Sequence, residues 1–287
     1  MSARVAGRVY RGIQPVAGDR ALAAEDANIP VVEAILPRES VLQRTVPLGR
    51  STQIIASNVD IVLAICSLHQ PDFSHGFLCR ALVAARWRKL RAVVVLNKMD
   101  LCLSGEDRTL LAGILSVYEG AGYTVFQTST STGRGTGELM KHIRGSTVVM
   151  AGPSGAGKTS LAKRYIPALD VRIGSVNPKT SKGRHTTVTA RMIPLGSETF
   201  LIDTPGLKMF SIEHVPREEL QFCFPEFDEY LGRCRFRDCL HISEPGCGVK
   251  GAVELGSISG IRYGMYEAFM REAEGQQGNY LSAPSER

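Results

Sequence analysis

Runs of apolar residues alternate with amphipathic segments through the middle of the chain. Each continuous apolar run has the length of a strand buried on both faces. These strands are predicted at 60–66, 92–96, 123–127 and 147–150. Apolar residues spaced three and four positions apart predict helices at 76–87, 104–119 and 138–143. Buried strands alternating with helices predict an α/β fold with a mainly parallel sheet, whose ligands bind at the carboxyl ends of the strands.

The two ends of the chain follow other patterns. Glycine and proline break residues 1–50 into short segments, which predict small strands at 4–10, 19–24 and 31–36 and a polar connector at 37–44. Further along, 188–193 and 199–202 flank a turn at 194–198 and predict an antiparallel hairpin. A helix is predicted at 257–273, and a disordered tail from Gly275.

A glycine-rich segment follows the strand at 147–150. Gly152, Gly157, Lys158 and Thr159 fit G-x-x-x-x-G-K-[ST] at every fixed position, between a predicted strand and a predicted helix at 160–165. Glycines let backbone N–H groups approach phosphate oxygens, the lysine adds a cation, and the threonine hydroxyl suits Mg²⁺. The pattern predicts a phosphate-binding loop rather than an ordinary strand-to-helix turn.

An aspartate ends the second arm of the predicted hairpin, in Asp203-Thr-Pro-Gly206. By itself this is an ordinary turn sequence. A carboxylate at the end of an apolar strand near a phosphate loop is placed to coordinate Mg²⁺. We therefore predict that Thr159 and Asp203 are the magnesium ligands.

The strand at 92–96 runs into Asn97-Lys-Met-Asp100. A carboxylate there can accept hydrogen bonds from both N1–H and the exocyclic amine of guanine, a donor pair that adenine lacks. The motif is short, and a solvent-exposed turn is the alternative interpretation. Gln127-Thr-Ser-Thr130, after the next strand, favours guanine, because its backbone amides can reach the guanine O6.

Charge, apolar runs and cysteine content indicate which kinds of partner and which cellular compartment suit the chain. The chain has 34 basic and 28 acidic residues, a net charge of +6, which is compatible with nucleic acid without requiring it. No apolar run reaches the length of a membrane span or a signal peptide. Seven cysteines, an odd number, favour a reducing cytoplasm over a disulfide framework.

Four metal-binding residue types crowd a short C-terminal segment, at Cys234, Cys239, His241 and Cys247. Three thiols and one imidazole form a closed tetrahedral set that is typical of structural zinc. Cys223 lies outside this set, and we expect it to pack in the helical part of the domain.

Together these motifs resemble the ribosome-small-subunit-dependent GTPase A family (RsgA, also called YjeQ). The guanine motifs precede the phosphate loop and Asp203-Thr-Pro-Gly206 follows it, the order of a circularly permuted GTPase. The similarity extends over nearly the whole chain. It rests on residues 11–12, 18–19, 58–60, 97–100, 152–159, 183–187, 203–206 and the segment 234–247.

The resemblance assigns roles to individual residues. Guanine would be held by Asn97, Lys98, Met99, Asp100 and Ser129. The phosphates would be held by Gly152, Pro153, Ser154, Gly155, Ala156, Gly157, Lys158, Thr159 and Ser160, with Asp203 and Gly206 beside them. The expected catalytic residues are Lys158, Thr187 and His185. Thr186 or Thr187 would lie in the segment that senses the γ-phosphate. His185 would position water, because Leu207 replaces the glutamine of Ras-like enzymes.

The family also implies three domains. We expect an OB-like β domain at 1–50, a circularly permuted P-loop GTPase domain at 51–213 and a helical zinc-binding domain at 214–287. Family members usually carry a complete OB-fold, whereas about three of its strands fit before Arg38. The expectation is therefore a truncated barrel or a start that lies upstream.

The function implied by the family is GTP hydrolysis during late assembly of the small ribosomal subunit, stimulated by that subunit. The expected partners are GTP and GDP, Mg²⁺, one structural Zn²⁺ and the small subunit with its rRNA, for a cytoplasmic monomer without membrane contact. Two alternatives stay open at this point. They are an RNA-binding module that senses GTP with negligible turnover and an ATP-using P-loop enzyme, against which Asn97-Lys-Met-Asp100 argues.

Overall fold

A computed structural model describes residues 4–5, 13–24, 29–45, 52–166, 190–196, 198–203, 212 and 214–281. Its N-terminal part contains β1 (Arg4–Val5), β2 (Ala21–Ala24) and β3 (Val31–Ile35). They form a sheet of order β1-β3-β2, in which β1 and β3 are parallel and β2 and β3 antiparallel. Strands were predicted in these three places.

The predicted connector at 37–44 is wrong, because β4 (Val41–Thr45) occupies its second half. This strand pairs antiparallel with β5 (Thr52–Ser57). Leu42 is only 1% exposed, so the pair has a buried face. The segment has too few apolar residues to reveal a strand locally, and its distant partner specifies it. The hairpin also crosses the domain limit predicted between residues 50 and 51.

A hydrogen-bonded corner attaches these strands to the rest of the chain. Asp19 accepts from Arg38 Nε at 2.7 Å and from Ser57 Oγ at 2.6 Å. Asn58 Nδ2 donates to Gly18 O at 2.9 Å. Gly18 has φ +90°, and a Cβ there would lie 2.0 Å from Ser57 O, so only glycine fits. These contacts explain why a glycine occupies position 18 and why polar side chains occupy positions 19 and 58.

The central sheet has six strands in the order β10-β11-β9-β6-β7-β8. The strands are β6 (Ile61–Ser67), β7 (Arg91–Asn97), β8 (Thr124–Gln127), β9 (Thr147–Ala151), β10 (Arg191–Gly196) and β11 (Thr199–Asp203). All neighbours are parallel except β10 and β11. The parallel sheet and the antiparallel hairpin are confirmed. However, β10 continues through the predicted turn to Gly196, with a register irregularity after Pro194.

Four helices accompany these strands: α1 (His75–Trp87), α2 (Gly105–Gly120), α3 (Thr136–His142) and α4 (Lys158–Tyr165). Two separate apolar clusters cover the sheet. Along β6, Val62 and Ala64 belong to one cluster, while Leu63 and Ile65 belong to the other. Both faces of β6 are therefore buried, which is why its sequence is continuously apolar.

The C-terminal part is helical. It contains 3-10 helices at Arg217–Cys223, Pro225–Phe227 and Leu231–Arg233, then α5 (Gly248–Glu254) and α6 (Gly260–Leu281). Cys223 is 1% exposed and packs there as expected. Since α6 continues to Leu281, the predicted disorder from Gly275 is wrong for residues up to that point. None of the described helices has both the length and the apolarity to cross a membrane.

A buried ion pair within the C-terminal part also contacts the first helix of the sheet domain. Arg262 on α6 is fully buried, and its Nε donates to Glu226 Oε1 at 2.6 Å. Its Nη1 contacts Cys79 Sγ on α1 at 3.2 Å, and its guanidinium lies 4.6 Å from the ring centroid of Phe224. The arginine therefore needs the Glu226 carboxylate, since aromatic rings and a thiol cannot neutralise its charge.

Glu226→Gln should leave Arg262 buried without its counter-ion and lower the free energy of unfolding by about 3–5 kcal/mol. Denaturant unfolding with a constant m-value measures this loss. The matched control is Glu272→Gln, because Glu272 pairs with Arg80 and also joins α6 to α1, but on a half-exposed surface. That change should cost about 1 kcal/mol or less. Equal losses in the two variants would contradict the role of the buried pair.

Candidate functional site

The loop that follows β9 lies against β6 and against the end of β7. It covers residues 152–157, and α4 begins at Lys158. A Cβ on Gly152 would lie 2.6 Å from Ile65 O, and one on Gly157 would lie 2.2 Å from Asn97 Nδ2. Gly157 also has φ +94°. Both glycines are therefore required by close backbone approach, as a phosphate-binding loop requires.

The loop presents its other predicted residues at different depths. Ser154, Gly155 and Ser160 are exposed, Ala156 is buried, and Pro153 and Thr159 are half-buried. Helix α4 begins directly after this loop, at Lys158. The first N–H groups of a helix have no partner within the helix and are free to bind an anion. This is the geometry in which an anion binds.

Opposite charges lie beside the loop. Lys158 Nζ donates to Gly152 O at 2.6 Å and to Pro153 O at 2.8 Å. Burial lowers the pKa of Lys158, and the charge of Asp203 opposes this effect. Burial likewise raises the pKa of Asp203, against the opposing charges of Arg191 and Lys158. Asp203 ends β11, which is paired with β9, so the carboxylate and the ammonium share one edge of the sheet.

The residues after β7 are tied to this loop through a buried amide. Asn97 is 1% exposed. Its Nδ2 donates to Ala156 O at 3.0 Å, and its Oδ1 accepts from Thr128 Oγ1 at 3.1 Å. Asn97 thus connects the loops that follow β7, β8 and β9. Its structural role explains why an asparagine, with one donor and one acceptor group, occupies this position.

The predicted base-binding aspartate is held in one orientation. Asp100 Oδ1 accepts from Ser129 Oγ at 2.6 Å. The hydroxyl groups of Ser129 and Ser131 lower the pKa of Asp100, against a smaller effect of burial. Met99 N donates to Thr128 O at 3.1 Å, which fixes the turn against the next loop. The side chain is therefore an ionised, oriented acceptor of the kind that guanine recognition needs.

Sequence patterns missed the contribution of the loop after β6. Lys98, in the left-handed region at φ +63°, donates from Nζ to Gln70 O at 2.6 Å. Ser131, also unpredicted, contacts Ser129 Oγ at 2.9 Å. The sheet topology could have predicted this contact. Gln70 follows β6, which is parallel to β7, so its loop must lie at the same edge of the sheet as the loop after β7.

Three predicted residues of this site, His185, Thr187 and Gly206, lie outside the described residues, as does Leu207. Their proposed roles stay predictions. The described part of the chain brings together the loops at 97–100, 128–131 and 152–159 with Asp203.

A second candidate site lies in the C-terminal part. The ligand atoms of Cys234, Cys239, His241 and Cys247 all lie within 4.8 Å of one another. His241 Nδ1 is 3.5 Å from Cys234 Sγ and 3.3 Å from Cys247 Sγ, so it is the ring nitrogen that faces the thiols. All four predicted ligands are therefore brought together, in an arrangement that can hold a metal ion.

Surrounding groups orient this cluster. His241 Nε2 faces Gln221 Oε1 at 2.9 Å, which favours a proton on Nε2 and leaves Nδ1 available as a ligand. Gly248 N donates to Cys234 Sγ at 3.3 Å, and Lys250 N donates to Cys247 Sγ at 3.4 Å. Such N–H groups stabilise thiolates, the form that binds a cation. Gln221 was not predicted, because it lies 20 residues before its histidine.

Comparisons with known proteins agree on one family. Residues 35–213 match the family model described as RsgA GTPase. The chain is 38% identical over 280 residues to the small ribosomal subunit biogenesis GTPase RsgA of Gemmatimonas aurantiaca, covering 96% of this chain and 90% of the relative. It is 37% identical over 247 residues to the protein of that name from Shewanella oneidensis, covering 86% and 69%.

Solved structures give the same result for the fold. YjeQ from Thermotoga maritima aligns with a TM-score of 0.81 at 32% identity, covering 95% of this chain and 90% of that one. YloQ, titled a circularly permuted GTPase, aligns with a TM-score of 0.77 at 29% identity, covering 96% and 87%. The predicted α/β fold of a circularly permuted GTPase is confirmed.

Cys239→Ser should remove most of the metal that the purified protein carries, because it replaces one of four ligands by a weaker one. Elemental analysis should find a single cation per chain in the unmodified protein and far less in the variant, with a lower midpoint of thermal unfolding. Cys223→Ser is the control, since Cys223 is equally buried but lies outside the cluster. Unchanged metal content in Cys239→Ser would contradict the assignment.

Proposed function

The chain belongs to the RsgA GTPase family, which consists of GTP-hydrolysing enzymes, and from this we propose that it acts in late assembly of the small ribosomal subunit. In this role the subunit stimulates hydrolysis, and GTP and GDP are the nucleotides bound. The observation that carries the proposal is the Asn97 bridge, which joins the predicted guanine turn to the phosphate loop through Ala156 O at 3.0 Å. The relatives' printed names supply the ribosomal part of the proposal.

Guanine binds at the turn after β7 in this proposal. Asp100 accepts from guanine N1–H and from the exocyclic amine, and Ser129 holds the carboxylate in position at 2.6 Å. The remaining guanine-binding residues are Asn97, Lys98 and Met99. The lowered pKa of Asp100 supports the assignment, because only the ionised form accepts both bonds.

The triphosphate binds along residues 152–160. Lys158 moves from the loop carbonyls of Gly152 and Pro153 to the phosphate oxygens, which are stronger acceptors. Thr159 and Asp203 hold Mg²⁺, which neutralises charge on the phosphate oxygens when bound. The buried Asp203 carboxylate, whose pKa is raised by desolvation, suits a cation ligand.

The C-terminal cluster holds one structural zinc ion. Three sulfur donors and one imidazole nitrogen match the preference of Zn²⁺ for a closed tetrahedral site. The ion maintains the fold of residues around the cluster and has no part in hydrolysis. The proposed enzyme is a cytoplasmic monomer with domains at 1–50, 51–213 and 214–287, of which the first limit falls between the paired strands β4 and β5.

Hydrolysis needs a water molecule in line with the γ-phosphate. Leu207 cannot hydrogen-bond this water, and we assign the task to His185, with Thr187 contacting the γ-phosphate and Lys158 stabilising its charge. The subunit acts by placing His185 and Thr187 against the γ-phosphate and its attacking water. Turnover without the subunit is then slow, on the order of 10⁻⁴–10⁻³ s⁻¹, as in unassisted Ras-type enzymes.

Asp100→Asn should weaken GTP binding by about 2–3 kcal/mol, roughly 30- to 200-fold, because one acceptor becomes a donor facing the guanine amine. The same variant should gain affinity for xanthosine triphosphate, whose C2 oxygen accepts from the new amide N–H. Calorimetry with both nucleotides measures the exchange. Glu106→Gln, a carboxylate-to-amide change on the exposed start of α2, should alter neither affinity. Undiminished GTP affinity in Asp100→Asn would exclude the base assignment.

His185→Ala should remove most of the stimulation by small subunits while leaving GTP affinity nearly unchanged, because the histidine acts on water rather than on nucleotide. Single-turnover hydrolysis at saturating subunits measures this effect. Full stimulation of the variant would exclude His185 as the water-positioning residue. Absence of stimulation in the unmodified protein would instead contradict the ribosomal role.

A further inference from the structure

The edge of the sheet opposite the nucleotide site carries an unassigned concentration of positive charge. Residues 86–91, Arg-Trp-Arg-Lys-Leu-Arg, join the end of α1 to the start of β7 and contain four cations and no acid. We call this segment the basic ridge. Since β7 runs from Arg91 to Asn97, the ridge lies about 20 Å from the guanine turn at the strand rise of 3.3 Å per residue.

The basic ridge separates two clefts. One, of about 510 Å³, is lined by Arg86, Lys89 and Arg91 together with His142, and no carboxylate lines it. The other, of about 430 Å³, lies toward β4 and is lined by Trp87, Arg88 and Arg38, with one acid, Glu39. Cations thus face both clefts, but Arg38 in the second is neutralised by Asp19. An aromatic ring, that of Trp87, also lines the second cleft.

Few carboxylates neutralise the basic ridge. Arg86 pairs with Asp228 at 2.9 Å, on a surface where both side chains are about half exposed. Among the described residues no carboxylate pairs with Arg88, Lys89 or Arg91. Asp60, at the same edge, accepts from Thr147 N at 2.7 Å. Burial lowers the pKa of Arg88, whose Nη1 donates to Ala84 O at 2.9 Å.

The backbone of the basic ridge is locally strained. Lys89 N donates to Arg86 O and Leu90 N donates to Ala85 O, which is the hydrogen-bond pattern of a Schellman motif. The residue at its centre is normally glycine, but here it is Lys89, at φ +57°. A side chain with a Cβ adopts this conformation at a cost, so local folding preference does not explain a lysine at this position.

We propose that the basic ridge binds the phosphate backbone of RNA in the small ribosomal subunit. Lys89 and Arg91, exposed and without a paired carboxylate among the described residues, suit successive phosphates, and Trp87, which lines the second cleft, offers an aromatic contact for an unpaired base. The inference rests on the ribosomal function proposed above and adds the surface that makes the contact. Because this edge is opposite the nucleotide site, RNA and GTP bind without competing.

The decisive variant is Lys89→Gly combined with Arg91→Gln. Glycine relieves the left-handed backbone at position 89, so thermal stability should be unchanged or higher. Affinity for purified small subunits should nevertheless fall about tenfold or more. The slope of log Kd against log salt concentration should decrease by about two, one for each lost phosphate contact. GTP affinity and subunit-free turnover should stay the same.

The control removes two exposed cations elsewhere, Arg108→Gln with Arg271→Gln, beside the acidic residues Glu106, Asp107 and Glu272. It should alter affinity and salt slope much less. Unchanged affinity and slope in the ridge variant would overturn the proposal. So would a loss of subunit affinity without loss of affinity for the deproteinised subunit RNA, which would identify a protein partner. If the unmodified chain binds no subunits, the ribosomal function fails, and the RNA measurement alone still tests the ridge.

Discussion

The buried amide of Asn97 is the contact on which the nucleotide edge depends. It joins the loop after β7 to the phosphate loop at Ala156 O and to the loop after β8 at Thr128. Gly157 must lack a Cβ for this contact to form, since a Cβ would lie 2.2 Å from the amide nitrogen. The proposed guanine turn and the proposed phosphate loop are therefore mechanically linked, because neither can shift without breaking a buried hydrogen bond.

Parallel pairing explains how a circularly permuted chain can assemble the same site as a chain that is not permuted. Strand β6 pairs with β7 on one side and with β9 on the other, so the loops after all three end at one edge. The order in which the chain visits these strands affects only the connections between them. A site built from strand ends is preserved under such a change, provided that the register of the strands is kept.

The charged residues discussed above differ in burial and in the edge of the sheet at which they lie. The Arg262–Glu226 pair is fully desolvated and holds α6 against α1. Lys158 and Asp203 are partly buried beside the phosphate loop, where their charges match the proposed Mg·GTP ligand. The basic ridge is the exposed counterpart, on the opposite edge. In the proposed function, one edge of the sheet binds nucleotide and the opposite edge contacts RNA, and β7 runs between the two.

Local sequence patterns were enough to predict the parallel sheet, the loop at 152–159, the turn at 97–100 and the four clustered residues that can hold a metal ion. Each of these depends on local pattern or spacing, such as the continuous apolar run of β6 or the fixed glycines of the loop. Features that depend on partners distant in sequence became evident only in the folded chain. It showed β4, whose strand character comes from β5, and the pairing of Arg262 with Glu226, which lie 36 residues apart. It also revealed that Gln221 faces His241 and that residues 86–91 face two clefts. Such contacts have no local signal, because a side chain's partner is set by the packing of elements and not by the residues beside it in sequence.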